Sequence, residues 1–417
     1  MIPQPPVCPK HEHRETLHGI TRVDPYHWLK DPHWQEVLRD PSKLDPEIRA
    51  HLEAENAYTG AALAHLESLE KTLFQELKGR IKEDDSSVPA RDGEYEYYRR
   101  FETGAQYPLY CRRPTGSEDE SILLDVNRLA EGKTFCQVAS VSHSRDHRYL
   151  AYAVDDKGSE FYTVHVVDLD TGESLSDELP HTAGNFVWAG DSSSILYTIL
   201  DDNHRPQRIA CHRLGDPIEK DRLIYDEPDP GFFVHVDETE SREYLLIHAH
   251  DHTTSEIRWL PAKDPAATPV LVAERRAGVE YEIGHHDDRF FILLREGDAK
   301  DGAITTATIG GADRSTWAPY LPHQPGRLIE GFLLFRDHLV RLETVDALPR
   351  LVVRKLSTGE EHTVAFDEEA YDLGLVPGYE FDTTTLRFTY SSMTTPHRVY
   401  DYDLETRERV LRKEQEV

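Results

Sequence analysis

The arrangement best suited to acyl-transfer chemistry would be a Gly-x-Ser-x-Gly elbow, which exposes a nucleophilic serine on a strained strand-to-helix turn. Among the 24 glycines only Gly374 and Gly378 have that spacing, and Val376 stands between them. Ser68-Leu69-Glu70-Lys71 fits Ser-x-x-Lys, but it lies in a helical stretch with no Lys-Thr-Gly suitably placed after it. It reads as a solvated helix face. His248, His250 and His252 alternate, so on one strand they would share a face, an arrangement that can hold zinc. No fourth ligand is evident. Asp251 and Thr253-Thr254 signal that the strand is ending, so these read as polar loop histidines. His11 and His13 read as part of a mobile tail. A Walker A loop and a GxGxxG fingerprint are both missing. The sequence therefore predicts no metal, no cofactor and no nucleotide site.

What must position any functional group is a repeat. Short polar turns recur at Asp92-Gly93, Arg145-Asp146, Gly190-Asp191, Thr239-Glu240, His286-Asp287, Arg336-Asp337 and Asp382-Thr383, spaced 46 to 53 residues apart. That period, with short Tyr- and Val-rich strands, is the mark of a β-propeller. The second unit reads as strands at Val141 to Ser144, Tyr149 to Val154, Phe161 to Leu169 and Glu173 to Leu179. The expected fold is all-β, a seven-bladed β-propeller over residues 79–417, preceded by a short α-helical segment over residues 1–78. In that segment Asp31-Pro32 and Asp45-Pro46 each set a capping acid before a proline. Ile48, Leu52, Tyr58, Leu63, Leu66, Leu69, Leu73 and Leu77 form an apolar stripe that needs a partner surface.

The formal charge of −30 repels nucleic acid and anionic lipid and attracts cationic ligands. No stretch approaches the roughly 20 apolar residues that span a bilayer. Four cysteines without CxxC pairing fit a reducing cytoplasm. In a four-stranded meander the loops between strands two and three share one face. Those loops, taken as 102–106, 155–160, 201–207, 250–256, 296–302, 343–350 and 391–398, hold thirteen acids and five bases. An acidic ring there would concentrate short basic peptides.

Several segments in order resemble the prolyl oligopeptidase type of serine peptidase, in its oligopeptidase B form. They are Asp24-Pro25-Tyr26-His27-Trp28-Leu29-Lys30-Asp31, Arg80 to Asp84 with Val88-Pro89, Leu123 to Asn127, Thr253 to Glu256, Tyr390 to Pro396 and Tyr400 to Thr406. The resemblance implies a propeller that covers an α/β-hydrolase domain and restricts entry to short peptides, cleaved after Arg or Lys. It implies that the N-terminal helices pack on that hydrolase domain. It also places Glu160 at an interdomain or substrate contact. No catalytic residue carries over, because the chain stops where the propeller would hand over to the hydrolase. The expectation is a gating propeller, inert alone, whose catalytic partner lies beyond Val417 or on another chain. The alternative is a stand-alone acidic propeller that binds cationic peptides or a protein partner without catalysis.

Overall fold

The computed structural model describes residues 3–310 and 314–417. Its contacts separate two compact units, Met1–Lys82 and Glu83–Val417. In the first, strands β1 (His13–Leu17) and β2 (Ile20–Asp24) form a hairpin. Its turn, His18-Gly19, has positive φ at both residues, the twist that a two-residue hairpin needs. His13 therefore belongs to a paired strand, and its ring stacks on His27 at 3.6 Å. Helices α1 (Trp34–Arg39), α2 (Pro46–Leu63) and α3 (Glu67–Lys78) follow. Asp45 caps α2 by accepting from the N–H groups of Glu47 and Ile48, with Pro46 at the first helical position. Asp31 does not cap a helix at Pro32. Its carboxylate accepts from the His33 and Asp45 backbones instead. Ile48 is buried, whereas Leu52, Leu69, Leu73, Phe74 and Leu77 are exposed.

The second unit is a succession of antiparallel meanders. Each strand pairs with the next in sequence. Five of the sheets are four-stranded blades. Blade 1 is Ala90–Asp92, Tyr95–Arg100, Leu109–Pro114 and Ser121–Asp125. Blade 2 is Phe233–Glu238, Tyr244–His250, Ser255–Pro261 and Val270–Leu271. Blade 3 begins at Glu280–His286, blade 4 at Arg327–Leu334 and blade 5 at Asp372–Val376. Between blades 1 and 2 lies one seven-stranded sheet, from Gln137–His143 to Arg222–Asp226.

The expected count of seven blades is thus corrected to five, plus this larger sheet. The reason is local. The strand expected to stop at Leu179 runs from Glu173 to Trp188 and joins what the spacing separates into two units. The intervening Pro180 to Gly184 stretch bends without breaking the ladder. His181 and Gly184 take positive φ, and the register shifts on both sides of Thr182. Thr182 itself pairs with Tyr162 on one neighbour and Ile199 on the other. The seven polar turns all fall between antiparallel strands, at the first connection of each meander or inside the large sheet.

Alternate residues of each strand face opposite neighbouring sheets, so the core is a series of apolar layers between sheets. Val187, Leu196 and Ile209 pack on Val234, Val236, Leu245 and Ile247 of blade 2. Leu246 and Ile257 of blade 2 pack on Tyr281, Ile283, Phe290 and Ile292 of blade 3. First and last sheets meet through side chains. Lys413 pairs with Asp85 at 2.6 Å, and Arg387 donates to the Pro89 carbonyl at 2.8 Å. Among the described residues no helix is long and apolar enough to cross a membrane.

Candidate functional site

Glu160 sits on the loop between the second and third strands of the seven-stranded sheet, exposed and with φ of 59°. The loop is held from below. Buried Asp155 accepts from the N–H groups of Lys157, Gly158 and Glu160, the last at 2.7 Å. His204, from the loop between the Ser194–Leu200 and Pro206–Arg213 strands, reaches the Ser159 carbonyl at 2.6 Å and packs on Phe161. The Glu160 carboxylate is left pointing into solvent with no described partner, on a loop whose backbone is fixed.

Asp201 and Asp251 repeat the Asp155 device in later loops, each accepting backbone N–H groups two or more residues ahead. This changes the meaning of the acid count. Asp155, Glu256 and Glu343 are buried. Glu256 is paired with Arg258 and Arg275, and Glu343 with Arg341. Much of the acidity on these loops does structural work. Glu102, Asp156, Glu160, Asp202, Asp298 and Asp346 are exposed.

At the opposite, polar-turn end, a network joins the sheets. Arg242 places two nitrogens on the Asp92 carboxylate, and His143 Nε2 lies 2.8 Å from Asp92 Oδ2. Arg145 pairs with Glu238 at 2.8 Å and donates to the Arg242 carbonyl. Tyr97 stacks on His143 at 3.7 Å, and Tyr379 meets that ring edge-on. Burial works to raise the Asp92 carboxyl. The hydrogen bonds from His143 and Arg242 outweigh it, so Asp92 stays below the ordinary carboxylate range. Burial also holds His143 below its usual value, and Asp92 only partly restores it.

Asp92, His143 and His147 bring three ligand atoms within 4.8 Å of one another, the one such group among the described residues. The surroundings do not suit a cation. Both Asp92 oxygens already accept from the Arg242 guanidinium, and Tyr97 holds His147 Nδ1 at 2.9 Å. An ion would have to displace a fixed positive charge.

A cleft of about 780 Å³ is lined mainly by blades 2 and 3, with Leu333 from blade 4 and Pro377 to Tyr379 from blade 5. His235, His248 and His250 line it with Asp237, Glu240, Glu280 and Glu282. His248 and His250 are strand residues here, not loop residues, because the second strand of blade 2 runs to His250. His252 lies beyond its end. Asp237 and Glu240 have no cationic partner among the described residues. Burial raises both carboxyls, Glu240 to about 7. Sequence reading missed His235 and the Arg242–Asp92 pair. His235 could have been found by folding the chain back at the Thr239-Glu240 turn, which sets it opposite His248. The Arg242–Asp92 pair left no signal beyond its place at two of the polar turns.

The sequence profile of the prolyl oligopeptidase N-terminal β-propeller domain matches residues 5–415. The chain belongs to that family. Among curated relatives of this propeller, "Dipeptidyl aminopeptidase BI" of Pseudoxanthomonas mexicana is 36% identical over 99% of the chain and 58% of its own length. "Protease 2" of Moraxella lacunata is 29% identical over 97% of the chain and 57% of its own length. The chain thus spans little more than half of these relatives. Among solved structures, oligopeptidase B from Leishmania major superposes with a TM-score of 0.91 at 27% identity, over 99% of this chain and 61% of that one. Oligopeptidase B from Trypanosoma brucei, with covalently bound antipain, gives 0.89 at 28% identity, over 99% of this chain and 60% of that one. The family's propeller domain therefore accounts for nearly the whole of this chain, N-terminal unit included.

Proposed function

We propose that this chain is the substrate-restricting propeller of a serine peptidase that cleaves short peptides after Arg or Lys. The observation that carries the reading is the match of residues 5–415 to the family's propeller domain. In it, an α/β-hydrolase domain in the same polypeptide, or on a second chain, supplies the catalytic groups. The 417 residues contain no Gly-x-Ser-x-Gly elbow, which supports that division of labour. Glu160, on its Asp155-held loop, faces the hydrolase domain or the incoming peptide. The exposed α3 residues Leu69, Leu73 and Leu77 give the helical segment an apolar surface on which such a domain would pack. The exposed Glu160 carboxylate, without a described partner, favours basic peptides. The reading includes a reducing, cytoplasmic setting, supported by four cysteines that are all free.

The test is a fluorogenic short peptide containing Arg, offered to the chain alone and to the chain joined to the hydrolase domain of a relative. The chain alone turns nothing over, and the joined protein cleaves. Serine-directed turnover by the chain alone would overturn the reading.

The 36% identity to a dipeptidyl aminopeptidase favours a second reading, release of dipeptides from free N-termini. Blocking the peptide's α-amino group separates the two. The first reading tolerates the block, and the second does not.

A further inference from the structure

The Phe233–Glu238 and Tyr244–His250 strands are paired so that His235 stands directly opposite His248. His250 is two residues beyond His248 and therefore on the same face. Three imidazoles from two hydrogen-bonded strands thus look into one cleft. This is the donor arrangement of a catalytic-type zinc site, in which two histidines alternate on one strand and the third comes from its neighbour.

We propose that His235, His248 and His250 form a binding site for a divalent transition metal of the zinc class. The cleft side stays open, and Asp237 or Glu280 supplies a carboxylate.

Four observations carry it. His248 Nε2 is buried and has no hydrogen-bond partner, which is costly for an imidazole without some other role. No described residue hydrogen-bonds the ring of His235. The His250 Nδ1 lies 3.2 Å from the Asp251 carbonyl, a contact that fixes the ring and leaves Nε2 as the free donor. Finally, the position is out of character for the fold. In blade 2, Leu246 packs forward into the layer shared with blade 3. In blade 3, Phe291 packs forward in the same way, and two residues on Leu293 is fully buried in that next layer. Two residues beyond Leu246, blade 2 carries His248 instead of an apolar side chain.

Glu280 and Glu282 add negative charge to the same cleft, and Arg242 and Arg295 also line it. In the structure the rings of His235 and His248 are stacked at 4.5 Å. Their ligand atoms, with those of His250, are not drawn within 4.8 Å of one another as Asp92, His143 and His147 are. Coordination therefore requires rotation of at least one ring out of the stack.

The test uses the full chain, stripped with a chelator and titrated with Co²⁺, whose visible d–d absorption reports a four- or five-coordinate ion. Competition with Zn²⁺ gives the affinity. One equivalent is expected to bind. His248→Leu, which copies the side chain of blade 3, should lower affinity by more than about a hundredfold while thermal unfolding shows it folded. His143→Asn should leave binding unchanged. The proposal is overturned by failure to bind one equivalent, or by unaltered binding in folded His248→Leu. Loss of binding in His143→Asn alone would also overturn it and move the ion to the Asp92 cluster.

Discussion

Arg242 grips Asp92 with two nitrogens, at 3.0 and 2.9 Å, although 150 residues separate them. The pair ties the first turn of blade 2 to the first turn of blade 1 across the seven-stranded sheet that lies between them in sequence. Asp92 is almost wholly buried and also meets His143. Removing the guanidinium leaves an uncompensated carboxylate, which typically costs about 3 kcal/mol or more. Arg242→Ala should lower the urea midpoint accordingly. Arg242→Ala combined with Asp92→Asn should cost less than the sum of the two single changes, a coupling that a double-mutant cycle measures directly.

A second ion network fastens the large sheet to blade 2. Arg275 pairs with Glu227 at 2.6 Å and with Glu256 at 3.1 Å. Burial alone would raise both carboxyls, but the bonds from Arg275 and their other donors win and hold them below 4.5. At acid pH the unfolded chain therefore binds more protons than the folded one. The stabilisation is complete above the ordinary carboxyl value and drains away as pH falls below 4.5 through the depressed folded values. Arg275→Met should cost about 3 kcal/mol at neutral pH and flatten that acid slope, as followed by urea melts across pH.

Glu240 has the opposite sign. Burial lifts its carboxyl from 4.5 to about 7, and its bond from the Leu334 N–H is a long 3.4 Å. Between those values the folded chain holds more protons than the unfolded one, so stability falls as pH rises. Glu240→Gln keeps an acceptor for Leu334 and removes the ionisation. It should match the parent below about pH 4.5 and be more stable above pH 7, by something of the order of 2 kcal/mol, since the cleft admits solvent.

Gly184 lets the long strand bend. Its φ is +80°, and a Cβ there would lie 2.7 Å from the Ala139 Cβ, which has no flexible end to move aside. Gly184→Ala should cost about 2–3 kcal/mol by combining backbone strain with overpacking. Calorimetry of the purified variant would show the loss as a lowered Tm.

The polar turns were legible because Asp92-Gly93, Gly190-Asp191 and their counterparts advertise strand reversals through residue type alone. Their spacing could not show that the strand from Glu173 to Trp188 is continuous. Pro180 and Gly184 look like punctuation, and only the pairing of Thr182 on both sides makes them a bulge. The acid count at the loops was legible, but its meaning was not. Asp155 and Asp251 spend their charge on their own backbones, while Glu256 and Glu343 are buried against arginines. His248 and His250 were visible as an alternating pair. Their third partner, His235, is fixed by hairpin register, which no local pattern states. Glu160 is marked by family resemblance alone, and nothing in its immediate sequence reveals the Asp155 turn that presents it.

The central claim is that this propeller limits a peptidase to short substrates. The most direct measurement joins the chain to the hydrolase domain of a relative and compares cleavage of a short Arg peptide with that of an unfolded protein carrying the same site. The account predicts rapid cleavage of the peptide and little or none of the protein, with protein cleavage appearing when the propeller is omitted from a hydrolase domain that remains folded. Equal cleavage of both substrates with the propeller in place would contradict it.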